Sequence, residues 1–288
     1  YIVSMPGTNP AAQLLRRALP EKAASTAIRW MLALGTQASY FASQRWPGFM
    51  RKVLRKGVER QLPAGYDVDT HFNPTYDPWD QRLCAVPDGD LFKAIREGRA
   101  SVVTDHIDTF TETGIRLRSG EELEADIIVT ATGLELLFLG GIELSVDGAP
   151  VDVSSRLAFK GMMLEGVPNA ALAIGYTNAS WTLKVDLTCD YVTRLLNHLR
   201  ATGLRQATPR NTDPSIAPEP LLGLQPGYVT RSADRFPKQG SRAPWRVYQS
   251  YLADYRALKR SPVVDEGLEL SNPTPVEPVA PAPALAAS

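Results

Sequence analysis

The sequence is poor in the residues that build disulfide frameworks and metal centres, and it carries no excess of charge. Its 288 residues include two cysteines, Cys84 and Cys189, and three histidines, with 31 basic residues against 31 acidic ones. Two distant cysteines cannot form a disulfide framework or a C-x-x-C redox pair, so we expect a reduced, cytoplasmic setting. Balanced charge gives no indication of nucleic-acid binding. The histidine spacing suits no metal site.

Several sequence signatures are also missing. No run of eighteen apolar residues is present, so no membrane-spanning helix is expected. The G-x-S-x-G elbow of serine hydrolases is absent. So is any G-x-G-x-x-G loop, the kind that holds the diphosphate of a dinucleotide. The composition is that of an ordinary globular protein of one or two domains, with 44% hydrophobic and 22% charged residues.

The most informative segment that is present reads Asp126-Ile-Ile-Val-Thr-Ala-Thr-Gly133. Its apolar part, residues 127–130, predicts a fully buried strand of an α/β sheet. The small residues Ala131, Thr132 and Gly133 that follow would let a bulky ligand approach the backbone closely. A β-meander is predicted just before this segment, over residues 108–126. Other predicted strands cover residues 101–104, 142–146 and 170–175.

Residues 11–62 are predicted to be helical, and residues 11–60 hold ten Lys or Arg against two acidic residues, with aromatic side chains among them. A basic helical region of this kind can lie on an anionic membrane surface. We favour the alternative that its apolar stripe packs on its own protein.

The clearest single helix is predicted after Trp181, with Thr182 and Gly203 as its caps. Apolar residues spaced by three and four predict its buried face, namely Val185, Cys189, Val192, Leu196 and Leu199. Both cysteines are interpreted as buried, inert thiols. Residues 271–288 contain five prolines, and we expect this tail to be disordered.

Arg82 is the candidate catalytic residue. It follows Pro78 and Trp79 at the end of a loop, before an apolar run. A guanidinium fixed in such a place can stabilise a developing oxyanion. From spacing alone, a structural ion pair or a cation–π contact is the more common role of such an arginine.

Ordered blocks along the chain, from Tyr1 to about residue 260, resemble the C-terminal part of bacterial FAD-dependent Baeyer–Villiger monooxygenases. These blocks are Tyr1-Ile-Val-Ser, Gln61-Leu-Pro-Ala-Gly-Tyr66, Pro78-Trp-Asp-Gln-Arg-Leu-Cys84, Asp126–Gly133, Gly175-Tyr-Thr-Asn-Ala-Ser-Trp-Thr-Leu-Lys184 and Lys238-Gln-Gly-Ser-Arg-Ala-Pro-Trp-Arg246. So many specific blocks in one order are very unlikely to arise by chance.

The resemblance implies an α/β fold, a partial flavoprotein fold of two dinucleotide-binding domains with a helical insert. The N-terminal glycine-rich Rossmann segments of that fold are not in this sequence. Residues 1–130 would comprise the insert (about 5–65) and the remainder of the NADPH-binding domain. Residues 131–262 would form the C-terminal part of the FAD-binding domain, and residues 263–288 a disordered tail.

The resemblance also implies the chemistry. In that family NADPH reduces FAD, and O₂ then forms a peroxyflavin that oxygenates a ketone or oxidises a sulfur. Arg82 would stabilise the negatively charged peroxyflavin and the negatively charged adduct that forms from it. The residues expected to contact the cofactors are Ala131, Thr132, Gly133, Gly175, Asn178, Ser180 and Trp181.

Without a glycine-rich loop, the chain by itself is expected to be inactive. The alternative function is a non-catalytic membrane-surface or protein-binding module. A flavin disulfide reductase shares the Ala-Thr-Gly block but would need a redox-active cysteine pair, which the sequence lacks.

Overall fold

The computed structural model describes residues 1–223 and 226–273, which fall into two compact units. The first unit comprises Tyr1–Leu134, and the second comprises Glu135–Gly223 and continues from Gly227. The division therefore lies a few residues beyond position 130, where the sequence placed the end of the first domain.

Five helices belong to the first unit, and they confirm that residues 11–62 are largely helical. They are α1 (Pro10–Ala18), α2 (Glu21–Arg45), α3 (Pro47–Glu59), α4 (Val68–Phe72) and α5 (Asp90–Arg96). Helix α1 starts where the Asn9 side chain accepts a hydrogen bond from the Ala12 N–H at 3.1 Å. Pro47 separates α2 from α3 because proline has no N–H to continue a helix but suits a first turn.

The core of the first unit lies between α3, α4 and α5. Its buried side chains are Val58, Leu62, Val68, Phe72, Phe92 and Ile95. Strand β1 (Ile2–Met5) packs Ile2 against this cluster and pairs in parallel with β2 (Cys84–Pro87). The start of the chain is thereby joined to the end of the loop between α4 and β2, residues 73–83, which we call the Arg82 loop.

The predicted β-meander is confirmed. It consists of three antiparallel strands, β3 (Ile107–Phe110), β4 (Gly114–Leu117) and β5 (Glu122–Glu124). Gly114 is required in β4, because a Cβ atom there would lie 2.9 Å from the Leu123 carbonyl carbon.

Two strand predictions in the first unit are wrong. Residues 101–104 and 127–130 form no strand, and Ile127 and Val129 are each 83% exposed. An apolar run becomes a buried strand only when neighbouring strands satisfy its main chain and cover its side chains. Among the residues that the structure describes, no strand pairs with either segment.

The basic helices bury part of their apolar surface on their own unit, where α3 contributes Val58 to the core, and they leave part of it exposed. In α2 the buried residues are Ala24, Ile28, Ala33 and Ser43, and α1 has none. Phe41, Trp46 and Phe49 are 61%, 53% and 64% exposed. No helix in the described part of the chain is long and apolar enough to cross a membrane.

The second unit is built from short antiparallel strand pairs around one long helix, α6 (Trp181–Thr202). The strands are β6 (Ser145–Val146), β7 (Ala149–Pro150), β8 (Ala158–Phe159), β9 (Met163–Leu164), β10 (Gln206–Pro209), β11 (Pro218–Pro220), β12 (Lys238–Gly240) and β13 (Leu268–Ser271). They pair as β6 with β7, β8 with β9, β10 with β13 and β11 with β12. Two further helices are α7 (Gly227–Thr230) and α8 (Tyr251–Asp254), and a π-helix follows at Tyr255–Arg260.

Some predictions for the second unit need correction. The strand predicted at 142–146 is reduced to β6, and residues 170–175 form no strand. Strand β13 shows that ordered structure continues beyond residue 262, where the tail was expected to begin. The expectation of disorder concerns mainly residues 274–288, which lie outside the described residues.

Helix α6 ends as predicted, with Gly203 at φ 70°, but its buried face is rotated from the predicted one. The buried residues are Leu183, Lys184, Leu187, Thr188, Tyr191, Leu195 and Leu199. Cys189 is exposed, as is Cys84, so the interpretation of both as buried thiols is wrong. Leu196 is 58% exposed. Lys184 can be buried because Asp254, 70 residues away in sequence, accepts a hydrogen bond from it, and an apolar pattern does not reveal such a partner.

Candidate functional site

The Arg82 loop is held in place by Arg51 of α3. The Arg51 guanidinium donates to the Asp77 carboxylate at 2.8 Å and to the Tyr76 carbonyl oxygen at 3.2 Å. The Tyr1 hydroxyl donates to the same Tyr76 carbonyl at 2.9 Å. Burial raises the pKa of the Tyr76 phenol, so this ring stays neutral. These contacts fix the loop from both sides before β2 begins.

Trp79 adds a strained backbone to this loop. Its φ is 74°, a left-handed conformation that bulky residues rarely adopt. The ring packs edge-on against Tyr40 of α2, with the ring centroids 5.9 Å apart. Its indole nitrogen is buried and has no hydrogen-bond partner within the described ranges. Contacts with the surrounding helices therefore stabilise a conformation that the tryptophan would not adopt unaided.

The Arg82 side chain itself is exposed. No hydrogen bond, ion pair or cation–π contact to it is found in residues 1–223 and 226–273. The structural role that spacing alone favoured, an ion pair or aromatic contact, is thus not observed in this structure. A guanidinium on a fixed loop remains available to an external group.

The segment Gly175–Trp181 leads into helix α6 and brings four of the predicted site residues together. Gly175 and Asn178 are buried, whereas Ser180 and Trp181 are exposed. Asn178 donates from its amide to the Gln249 carbonyl at 2.9 Å. The Gln249 side-chain oxygen in turn accepts from the Thr177 N–H and from the Thr177 hydroxyl, both at 3.0 Å.

Gly175 is required by the close approach of Trp181. A Cβ atom at position 175 would lie 2.6 Å from the Trp181 Cα and would overlap the indole ring. Ser180 occupies the N-cap position, but its hydroxyl bonds to the Thr182 hydroxyl at 2.9 Å instead of capping the helix. The exposed start of a 22-residue helix therefore keeps main-chain N–H groups and a positive dipole end without a side-chain cap.

A buried ion pair lies behind this segment. Lys184 Nζ donates to Asp254 Oδ2 at 2.8 Å, and the two side chains are 3% and 4% exposed. The ammonium also lies 5.5 Å from the centroid of the Tyr176 ring. Burial raises the pKa of the Asp254 carboxyl, and the charge of Lys184 opposes that rise. Burial, followed by the charge of Asp254, raises the pKa of the Tyr176 phenol.

The remaining predicted residues, Ala131, Thr132 and Gly133, are exposed and lie in the first unit, as does Arg82. Gly133 has φ 111°, which only glycine adopts readily. The structure therefore groups Gly175, Asn178, Ser180 and Trp181 in one segment of the second unit. In the chain as described, no group of three or more His, Cys, Asp or Glu residues could hold a metal ion.

Sequence reasoning missed the residues that support this segment, namely Gln249, Asp254 and Lys184. No local signal pointed to Lys184, which lies outside the apolar face predicted for α6, although a buried lysine needs a buried partner. The partner is 70 residues away in sequence, so no local pattern could identify it.

Comparison with solved structures gives the class of fold. The structure of an oxidised steroid monooxygenase bound to NADP matches 72% of this chain and 48% of its own, with a TM-score of 0.54 at 15% identity. That of the monooxygenase OTEMO in complex with FAD and NADP matches 94% of this chain and 53% of its own, with a TM-score of 0.52 at 12% identity. The chain has a partial flavin-monooxygenase fold of the Baeyer–Villiger type.

Sequence comparison then gives the relatives. The chain is 52% identical over 277 residues to the FAD-containing monooxygenase EthA of Mycobacterium tuberculosis, covering 96% of this chain and 57% of that protein. It is 47% identical over 276 residues to the probable FAD-binding monooxygenase AlmA of Acinetobacter baylyi, covering 95% and 55%. No protein-family model matches. The resemblance to FAD-dependent monooxygenases is confirmed, and the chain spans little more than half the length of these relatives.

Gly175→Ala tests the close approach of Trp181. The added methyl must displace the indole, so we expect a loss of about 1–3 kcal/mol in the free energy of unfolding, measured by urea denaturation. Gly35→Ala in α2 is the matched control, because no atom lies within 4 Å of its added Cβ. It should be neutral or stabilising. The double variant Gly175→Ala with Trp181→Ala should recover only part of this loss, because it removes the indole but keeps the Cα atom of residue 181, which lies 2.6 Å from the added Cβ. Equal stabilities of Gly175→Ala and Gly35→Ala would contradict this packing.

Proposed function

We propose that this chain supplies part of the active site of an FAD- and NADPH-dependent monooxygenase that inserts an oxygen atom from O₂ into a ketone or a sulfur compound. The observation that carries the proposal is the identity of 52% to an FAD-containing monooxygenase, which extends over 96% of this chain. The chain spans 57% of that relative's length, so activity is proposed for the protein as a whole.

The residues of the Gly175–Trp181 segment suit contact with a flavin better than they suit a metal site or a nucleophilic catalytic site. Its exposed members, Ser180 and Trp181, offer an aromatic surface and the uncapped start of a long helix. Such a helix start favours a group that carries negative charge. When bound, FAD supplies the redox chemistry. This segment would contact the ring system. In the first unit, Ala131, Thr132 and Gly133 supply a backbone that a ligand could approach closely.

Arg82 provides the positive charge that stabilises negative charge on the reacting atoms. Its guanidinium is exposed and lacks a protein partner in the described part of the chain, while the Arg51–Asp77 pair and the buried Pro78 fix its loop. A charge that is fixed before the reaction stabilises negative charge that develops on the reacting atoms without further reorganisation. Arg82 is thus the catalytic residue of this proposal.

The chain by itself should bind FAD weakly or not at all. It contains no G-x-G-x-x-G loop, whose helix start supplies most of the hold on a diphosphate. The measurement is the flavin absorbance that remains after the purified chain is incubated with FAD and passed over a desalting column. One flavin per chain after this step would show that the diphosphate is held by residues that we have not identified.

Arg82→Ala tests the catalytic assignment in a chimera that joins this chain to the portion of EthA that it does not match. We expect product formation to fall by about 10²–10³, while FAD content and NADPH binding are retained. Arg82→Lys should recover only part of the activity, because lysine keeps the charge but loses the planar donor geometry. Arg118→Ala, another exposed arginine, is the matched control. Product formation by Arg82→Ala at the level of Arg118→Ala would mean that another residue holds this role.

A second candidate function, binding to an anionic membrane surface, is favoured by the exposed aromatic side chains of the basic helices. Phe41 and Trp46 pack edge-on with centroids 6.3 Å apart, and the Arg45 guanidinium lies 5.7 Å from the Trp46 ring. Exposed aromatic side chains beside basic ones suit the interface between lipid headgroups and acyl chains.

Vesicle co-sedimentation tests this second function. Binding to phosphatidylserine vesicles should weaken as salt rises. The triple variant Phe41→Ser, Trp46→Ser, Phe49→Ser should weaken it by about tenfold or more, because each substitution removes apolar area from the lipid contact. Phe110→Ser, at a residue 56% exposed outside these helices, is the control. Absence of binding, or equal binding by the triple variant, would exclude the surface function.

A further inference from the structure

A short stretch of the chain that starts at Gln249 forms hydrogen bonds with the middle of the Gly175–Trp181 segment. The Gln249 side chain accepts two hydrogen bonds from Thr177, and its carbonyl accepts one from Asn178. Three hydrogen bonds thus hold the middle of the segment, although 71 residues of sequence separate Asn178 from Gln249.

The ion pair of Lys184 with Asp254 holds the other end, just inside helix α6. Asp254 is the last residue of α8, and the pair is almost completely buried. A buried charge that loses its partner is strongly unfavourable, so the pair fixes the distance between α6 and α8. Tyr176, 1% exposed, fills the space beside the ammonium.

Gln249, Asp254 and Lys184 together form what we call the clamp. We propose that the clamp positions the Gly175–Trp181 segment for contact with the flavin, a step that rests on the function proposed above. The clamp residues are positioning residues: they act through Thr177, Asn178 and the start of α6. The exposed members of the segment, Ser180 and Trp181, remain accessible to a ligand.

A second buried lysine in the same unit provides a matched control. Lys160 Nζ donates to Asp265 Oδ2 at 2.8 Å, and the Lys160 side chain is 4% exposed. It lies 5.6 Å from the ring centroids of both Phe159 and Tyr191. This pair resembles the Lys184–Asp254 pair in chemistry and in the burial of its lysine, whereas Asp265 is 36% exposed. The Lys160 hydrogen bonds go to Asp265 and Ala257, and none goes to the Gly175–Trp181 segment.

The first test is hydrogen exchange in the chain without flavin. Asp254→Asn keeps the size of the side chain and removes its charge, so amide exchange in peptides covering residues 175–183 should rise by about tenfold or more. Peptides from the far end of α6, residues 191–199, should change less, and Asp265→Asn should leave residues 175–183 unchanged. Should Asp254→Asn fail to fold, Gln249→Ala gives the same test, because it removes the two bonds to Thr177. Exchange in 175–183 that is unchanged, or that rises equally in Asp265→Asn, overturns the proposal.

The double variant Lys184→Met with Asp254→Leu separates positioning from plain stability. An apolar pair can replace a buried ion pair with little loss of stability. We therefore expect resistance to urea close to that of the wild type, while exchange in residues 175–183 stays elevated. Exchange that returns to the wild-type level would show that packing alone holds the segment. That result would overturn the proposal that the clamp positions it.

The second test uses the chimera described above and connects the clamp to the cofactor. Asp254→Asn should raise the FAD dissociation constant about tenfold and shift the visible absorption of the bound flavin, and Asp265→Asn should do neither. An unchanged dissociation constant and spectrum, with exchange altered, would overturn the link to the flavin. A wild-type chimera that binds no flavin would contradict the proposed function itself, and the exchange result alone would then decide whether the clamp holds the segment.

Discussion

The buried pair of Lys184 and Asp254 is the constraint on which the candidate segment of the second unit depends. A lysine that is 3% exposed would be strongly unfavourable without a carboxylate within hydrogen-bond distance, and loss of either partner from such a pair typically costs about 3–5 kcal/mol. The pair therefore fixes where helix α6 begins relative to α8. The approach of Trp181 to Gly175 depends on that placement, and so does the exposure of the uncapped helix start.

The Arg82 loop of the first unit achieves rigidity by different means. Here the Tyr76 carbonyl accepts hydrogen bonds from Arg51 and from the Tyr1 hydroxyl, and the Asp77 carboxylate accepts one from Arg51. The left-handed Trp79 is tolerated because Tyr40 and the buried Pro78 surround it. Strain of this kind is common at functional sites, where neighbouring structure holds a residue in a conformation that is rare elsewhere. In the first unit the exposed Arg82, and in the second unit the exposed Ser180 and Trp181, lie on segments that buried or hydrogen-bonded residues hold in place.

Local signals in the sequence were enough to predict the basic helices, the β-meander and the end of α6 at Gly203. They failed for residues 127–130, because a buried strand requires neighbours on both sides and its own sequence cannot supply them. They also misplaced the buried face of α6, where Lys184 occupies a position that an apolar pattern assigns to solvent. For the candidate site, the block from Gly175 to Lys184 was predictable as a motif. Its supporting residues, Gln249 and Asp254, were not, because they act through contacts about 70 residues away in sequence.

The proposed contact between the Gly175–Trp181 segment and the flavin is the one on which the functional assignments in the second unit depend. A crystal structure of the chimera with FAD bound tests it most directly. We expect electron density for the flavin ring against the start of α6, with Ser180 and Trp181 within contact distance. Flavin density that makes no contact with the Gly175–Trp181 segment would contradict this assignment.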